Sequence, residues 1–190
     1  CHLAAMLPKK NNKDMYDYNV DMNKNLIKKI KESNSLKKLI FFSTARVYNN
    51  SNKGKINERN FLSAKDPYGK SKYNSEKMFN RLKNIKVYNL RLPGILSNKK
   101  NINFLSKLID DVYKNNDINL FNPNNYFNNA IYIDSLCHFI YNLIAHDYKS
   151  GTVLLGSLKP LTLERIVKII KYKFNSSSTI EWNTEKNKGF

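Results

Sequence analysis

Asp66-Pro67-Tyr68-Gly69-Lys70-Ser71-Lys72 decides how this chain is read. Asp66 is a good N-cap, and Pro67 suits the first helical position, so a helix is expected from residue 67. Tyr68 and Lys72 are four apart, which puts a phenol and an ammonium on one helical face, one turn apart. A cation near a phenol favours the phenolate and lowers its pKa from about 10. Gly69 and Ser71 keep the surface around Tyr68 small enough for a ligand to approach. Upstream, Phe41-Phe42-Ser43-Thr44 ends an apolar run with two hydroxyls, and Thr44 can hold a substrate oxygen beside the phenol. Together these groups can move a proton on or off a sugar-type hydroxyl or ketone.

The spacing itself is common in a chain this rich in Tyr and Lys. Tyr73 and Lys77 form a second such pair deeper in the same helix. They lack the cap, the proline and the small neighbours. The plain alternative for Tyr68 and Lys72 is an amphipathic surface helix with a tyrosine near its start.

Outward from this helix, the pattern alternates strand and helix, which predicts an α/β fold around a parallel sheet. Residues 1–5 look like the end of a strand. Residues 16–33 carry an apolar stripe of Val20, Leu26, Ile27 and Ile30, as a helix does. Leu39-Ile40-Phe41-Phe42 is an unbroken apolar run, expected of a strand covered on both faces. A polar loop spans 49–65, the helix with Tyr68 spans 67–84, and a strand spans 86–92. Beyond Pro93-Gly94 the pattern shortens. It predicts helices at 102–115, 134–146 and 161–174, and short strands near 118–121, 129–133, 152–155 and 179–182. The expected division is 1–95 and 96–190, with some later segments returning to the first sheet.

Composition narrows the function. The net charge of +18 raises a polyanion as partner. The excess is almost all lysine, with Arg46, Arg59, Arg81, Arg91 and Arg165 the only arginines. Lys, Asn, Ile, Tyr and Phe all have A/T-rich codons, so a low-GC genome explains the bias. The lysines are spread along the chain without the aromatic-plus-arginine clustering of a strand-binding surface, so no nucleic acid is expected. No 18-residue apolar run occurs, so no membrane span is expected, and a cytoplasmic location follows. Cys1 and Cys137 imply no disulfide framework. His2, His138 and His146 are scattered, so no metal is expected.

Several stretches, in order, resemble the extended short-chain dehydrogenase/reductase family of nucleotide-sugar epimerases, dehydratases and ketoreductases. They are His2-Leu3-Ala4-Ala5, Tyr16 with Asn19-Val20, Phe41 to Tyr48, Pro67 to Lys72 with Glu76, Asn89 to Gly94, and Ala130 to Leu136. The resemblance implies a partial doubly wound sheet of Rossmann type, a cofactor of NAD or NADP, and a nucleotide-sugar substrate. It implies Tyr68 as acid/base, Lys72 on the nicotinamide ribose while depressing the Tyr68 pKa, and Thr44 on the same substrate oxygen. It further implies Leu3, Ala4, Ala5, Asn19, Ser43 and Pro93 near the cofactor, and Gly94 and Asn128 near the substrate.

Departures from the family pattern sort the reactions. Dehydratases of the family carry Asp-Glu after the catalytic Thr, where this chain has Ala45-Arg46. That leaves a 4-epimerase passing through a 4-keto sugar, or a 4-ketoreductase, with a noncatalytic nucleotide-binding or interaction protein as the reading of another class. Gly94 and Asn128 stand where several relatives have Asn and Arg for the diphosphate. The six glycines are isolated, so the Gly-rich turn that takes a pyrophosphate is missing. The expectation is a piece of a longer enzyme, a homodimer when complete. Alone, it would expose residues 1–5 as a sheet edge and bind NAD(P) weakly.

Overall fold

In the computed structural model the elements run α1 (Met15–Glu32), β1 (Lys38–Thr44), a 3-10 turn (Ala45–Val47), α2 (Pro67–Phe79), β2 (Lys86–Leu92), β3 (Gly94–Leu96), α3 (Phe104–Tyr113), β4 (Ile118–Phe121), β5 (Tyr126–Phe127), β6 (Ala130–Tyr132), α4 (Ile133–Ala145), β7 (Gly151–Leu154), β8 (Leu161–Thr162), α5 (Leu163–Phe174) and β9 (Ile180–Asn183). The structure describes residues 1–7, 14–33, 35–48, 56–59, 64–97, 103–127, 130–156 and 159–183. They form an α/β fold in two compact units, residues 1–92 with 141–155, and residues 93–140 with 156–190.

The first unit is built on a parallel sheet in the order β1-β2-β7. Its register runs from Lys38 opposite Lys86 to Thr44 opposite Leu92, and from Tyr88 opposite Gly151 to Arg91 opposite Leu154. On the other edge of β1, the first residues supply one bridge, His2 opposite Phe41, where the sequence suggested a strand over 1–5. His2 N donates to Ile40 O at 2.8 Å and Phe42 N donates to His2 O at 3.1 Å. The chain then leaves the sheet.

The apolar run of β1 is covered as its composition requires. Phe41 and Phe79 are both fully buried, with ring centroids 4.8 Å apart, and Ile30, Leu39 and Val87 join them. Each such side chain contributes about 1.5–3 kcal/mol through burial. Between α1 and α2 the contact is polar instead. Asn19 Nδ2 donates to Ser71 Oγ at 3.3 Å, and Asn23 Nδ2 donates to Ser75 Oγ at 2.6 Å, all four residues being buried. Pairs four apart on both helices face each other, and two short serine side chains let the helices approach closely.

Helix ends follow local chemistry. Asp66 Oδ1 accepts from Gly69 N at 3.0 Å, so α2 starts as its cap and proline predict. It stops at Phe79, short of the expected residue 84. Asn84 adopts a left-handed φ of 66° on the way into β2. Lys38 Nζ donates to the carbonyls of Leu143, Ile144 and His146, satisfying oxygens that the end of α4 leaves free.

The second unit gathers Leu105, Leu108, Val112, Ile118, Leu120, Leu163 and Val167 into its own core. Here β4 pairs with β9 and β3 with β6 in parallel, while β5 and β8 are antiparallel. At two or three residues, β3, β5 and β8 are too short for periodicity to reveal.

Gly69 is fixed by packing. A Cβ placed there would lie 2.6 Å from the main-chain oxygen of Arg46, whereas one at Gly151 would meet nothing within 4 Å. Gly69→Ala is therefore expected to lower unfolding stability by about 1–3 kcal/mol, and Gly151→Ala to leave it within about 0.5 kcal/mol. Urea denaturation of the two variants tests this, and equal effects would contradict the packing described.

Candidate functional site

The carboxyl end of β1 is where the sequence-predicted residues collect. Regular continuation of the His2 bridge would bring Ala4 N to Phe42 O as the next rung. Lys72 Nζ takes that oxygen instead, at 2.8 Å. The lysine thus completes the ladder at the point where residues 3–5 peel away. Ligand crevices of open α/β sheets lie at such places, outside the carboxyl ends of strands that part company. Leu3 and Ala4 are exposed there and Ala5 is half-buried.

Lys72 is only 3% exposed, and its Nζ lies 4.7 Å from the centre of the Phe41 ring. Burial lowers its pKa to about 8. The rival pair behaves differently. Lys77 is exposed and folds over the Tyr73 ring at 4.1 Å, the surface arrangement of a helix that carries both residues by chance of composition.

Tyr68 is half-buried in the first turn of α2, and its hydroxyl makes no hydrogen bond among the described residues. The sequence led us to expect a pKa depressed by Lys72. The structure corrects this: the Tyr68 pKa is raised, first by burial, with Asp66 adding to the rise and Arg46 opposing it. Lys72 Nζ lies 5.8 Å from the Tyr68 ring centre and is turned to Phe42 O. Arg46, read in the sequence only as the absence of a carboxylate, is a second cation near the phenol and lowers its pKa. Its guanidinium carbon is 5.8 Å from the same ring centre.

Thr44 is the last residue of β1 and caps the 3-10 turn, its Oγ1 accepting from Arg46 N at 3.3 Å. The turn packs on Gly69, next to Tyr68, so strand end and helix start are held together. Ser43 is used elsewhere. It is buried and donates to Glu76 Oε1, on the face of β1 that α2 covers.

Glu76 anchors the site, and only its place in the motif hinted at this. Arg91 Nε donates to Glu76 Oε1 at 3.1 Å and its terminal nitrogen to Oε2 at 2.7 Å. The other terminal nitrogen of Arg91 donates to Tyr48 Oη. These groups tie α2 to β1, β2 and the residue after the 3-10 turn. Asn19, expected near a cofactor, spends its amide on the main chain of Met6, with contacts of 2.7 and 3.1 Å, and on Ser71. It thereby fixes the exposed segment containing Leu3, Ala4 and Ala5 against α2. Pro93 and Gly94 open the second unit, Gly94 starting β3 opposite Ala130. Asn128 lies outside the described residues.

A model of the NAD dependent epimerase/dehydratase family matches residues 2–156. The chain belongs to that family. Among curated proteins, this epimerase/dehydratase-family chain is 26% identical over 184 residues to a Methanocaldococcus jannaschii protein described as "Putative UDP-glucose 4-epimerase". The match takes in 90% of this chain and 59% of that relative, so the chain spans about three-fifths of the relative's length. Among solved structures, a UDP-N-acetylglucosamine 4-epimerase from Methanobrevibacter ruminantium M1 in complex with UDP-N-acetylmuramic acid superposes with a TM-score of 0.82 at 20% identity, over 97% of this chain and 63% of that one. A UDP-glucuronic acid 4-epimerase from Bacillus cereus in complex with NAD gives 0.82 at 18%, over 96% and 61%. At these identities the structures show the fold. No described helix is long and apolar enough to cross a membrane.

In this family member, the buried Lys72 gives a pH signature. Its folded pKa of about 8 lies below the ordinary 10.5, so the folded chain binds that proton more weakly than the unfolded one. The cost is fully present below about pH 8 and gone above about pH 10.5, where both states are neutral. Lys72→Met removes it, and its gain over the parent should shrink by about 3 kcal/mol between neutral pH and pH 10.5. Denaturant titrations of both proteins across that range measure the difference. A gap independent of pH would exclude a penalised ammonium.

Proposed function

We propose that the chain carries the catalytic centre of an NAD(P)-dependent nucleotide-sugar 4-epimerase. The observation that carries this is the buried Lys72 amine at the break in the sheet, one helical turn from a phenol whose hydroxyl makes no hydrogen bond among the described residues. Family membership and the UDP-sugar epimerases among its relatives support it.

The residues present fit the nicotinamide-ribose end of such a cofactor. Lys72 has three N–H donors and spends one on Phe42 O, leaving two for a ribose diol. The exposed main chain of residues 3–5 borders the same crevice. When bound, the nicotinamide supplies a hydride acceptor and later a hydride donor. The chain's own part is proton management. Tyr68, as phenolate, would take the proton of the sugar hydroxyl as the carbinol carbon becomes a ketone, and would return it to the same oxygen when that ketone is reduced. The Thr44 hydroxyl holds the same oxygen and aligns it. Ala45 and Arg46 offer no carboxylate for eliminating water, so the keto sugar is reduced and keeps its substituents. Pro93 near the nicotinamide, and Gly94 and Asn128 near the substrate, belong to the same proposal.

Tyr68→Phe in the complete gene product should cut turnover of a nucleotide-sugar panel by about 10²–10⁴-fold while leaving cofactor binding intact. Tyr73→Phe should stay near the parent. Chromatography of the products distinguishes inversion at C4 from net reduction with consumed NAD(P)H, the ketoreductase outcome. Equal activity of the two variants would sink the assignment of Tyr68.

A further inference from the structure

Glu58 grips two neighbouring strand ends at once. It lies in the described stretch 56–59 between the 3-10 turn and α2, where Asn57 Oδ1 accepts from Arg59 N at 2.9 Å and folds the chain into a turn. The Glu58 carbonyl accepts from an Arg91 terminal nitrogen at 3.4 Å, the same nitrogen that donates to Tyr48 Oη. Its carboxylate Oε1 accepts from Leu154 N at 2.9 Å. Arg91 and Leu154 stand opposite each other, next to last in β2 and last in β7. Leu155 N donates inward to Arg91 O at 3.1 Å, so Leu154 N points outward, along the edge where the sheet of described strands ends. An outward N–H on an edge strand has no ladder partner. Here an ionised oxygen takes it, the stronger kind of acceptor.

We infer that Glu58 is a positioning residue for the nucleotide-sugar side of the proposed reaction, holding the carboxyl ends of β2 and β7 as one surface beside Thr44. Thr44 stands opposite Leu92 and Leu154 opposite Arg91, so β1, β2 and β7 end together. Ligands of open α/β sheets bind outside such ends. Lys72 takes Phe42 O on the edge of β1 that faces residues 1–5, the side proposed for the nicotinamide ribose. Glu58 acts on the opposite side, two strands over. Thr44 Oγ1 is held by Arg46 N and Lys72 by Phe42 O, and neither bond passes through Glu58. Loosening the end of β7 therefore bears on how firmly the substrate is held and leaves the proton chemistry in place. Glu58 itself touches no reacting atom.

This role rests on the nucleotide-sugar reading, and two readouts on the complete gene product separate them. Amide hydrogen exchange with isotope-labelled leucine follows Leu154 N directly. Glu58→Ala should speed its exchange by about 3–10-fold, as expected for one hydrogen bond at the surface, and leave Leu155 N unchanged. Glu58 is exposed, so the variant should fold as the parent does. In steady state the same variant should raise KM for the nucleotide sugar by about 3–10-fold with kcat within about twofold, the pattern of lost uniform binding. NAD(P) affinity should stay at the parent's value. Glu58→Gln keeps the accepting oxygen and should restore both readouts. Exchange at Leu154 unmoved by Glu58→Ala would overturn the clasp. Faster exchange with an unchanged KM, or a fall in kcat alone, would overturn the role in binding. A parent without nucleotide-sugar turnover would refute the proposed function and the binding role with it, while exchange would still decide whether Glu58 holds β7.

Discussion

The site depends on one buried ion pair. Glu76 and Arg91 are 2% and 4% exposed, and the guanidinium meets both carboxylate oxygens. Taking two charges out of water costs several kcal/mol each, and only good geometry with further hydrogen bonds offsets it. Ser43 and Tyr48 supply those bonds. The network reaches α2 through Glu76, β1 through Ser43, β2 through Arg91, and the end of the 3-10 turn through Tyr48. Removing one member would leave a buried charge exposed to nothing, so the arrangement is held as a unit. A directional contact of this kind fixes the rotation of α2 about its axis, which apolar packing of Phe79 alone would fix less sharply. That rotation decides that Lys72 faces Phe42 O and that Lys77 faces solvent.

The polar seam between α1 and α2 acts on the same helix. Asn19 and Asn23 meet Ser71 and Ser75, and Asn19 also grips Met6. Segment 1–7 is thereby positioned relative to the helix that bears Tyr68 and Lys72. Asn19 and Ser43, expected near a cofactor, hydrogen-bond within the protein, to Met6 and Ser71 and to Glu76.

Much of the fold was legible because its signals are local. Asp66-Pro67 marked a helix start to the residue, and the run Leu39 to Phe42 marked a central strand. The positions of α1, β2, α3, β4 and α4 followed from periodicity. What stayed hidden depends on tertiary contacts. No local signal says that residues after His2 leave the sheet, because the choice is made by Lys72 competing for Phe42 O. The tyrosine's environment was misjudged for a related reason: spacing put Lys72 beside Tyr68, but burial and the lysine's own bond outweighed the charge effect. Arg46 could have been found by noting that it lies two residues beyond Thr44, where a turn can fold it back over the helix start.

The register of the first sheet also bears on how the chain reaches its native state. Lys38 pairs with Lys86, 48 positions later, Tyr88 with Gly151, 63 positions later, and His2 with Phe41, 39 positions later. No two neighbouring strands of this sheet are close in sequence. Every rung therefore closes a long loop before it is rewarded, the condition under which folding is slow and strand edges stay open to other chains. During synthesis β2 emerges with one partner already made and waits for some sixty more residues before β7 can cover its other edge. The ion pair within α2 and β2 needs none of that wait, for Glu76 and Arg91 are 15 positions apart. It can lock the helix to the strand early, making the α2–β2 corner the natural seed on which the distant strands assemble.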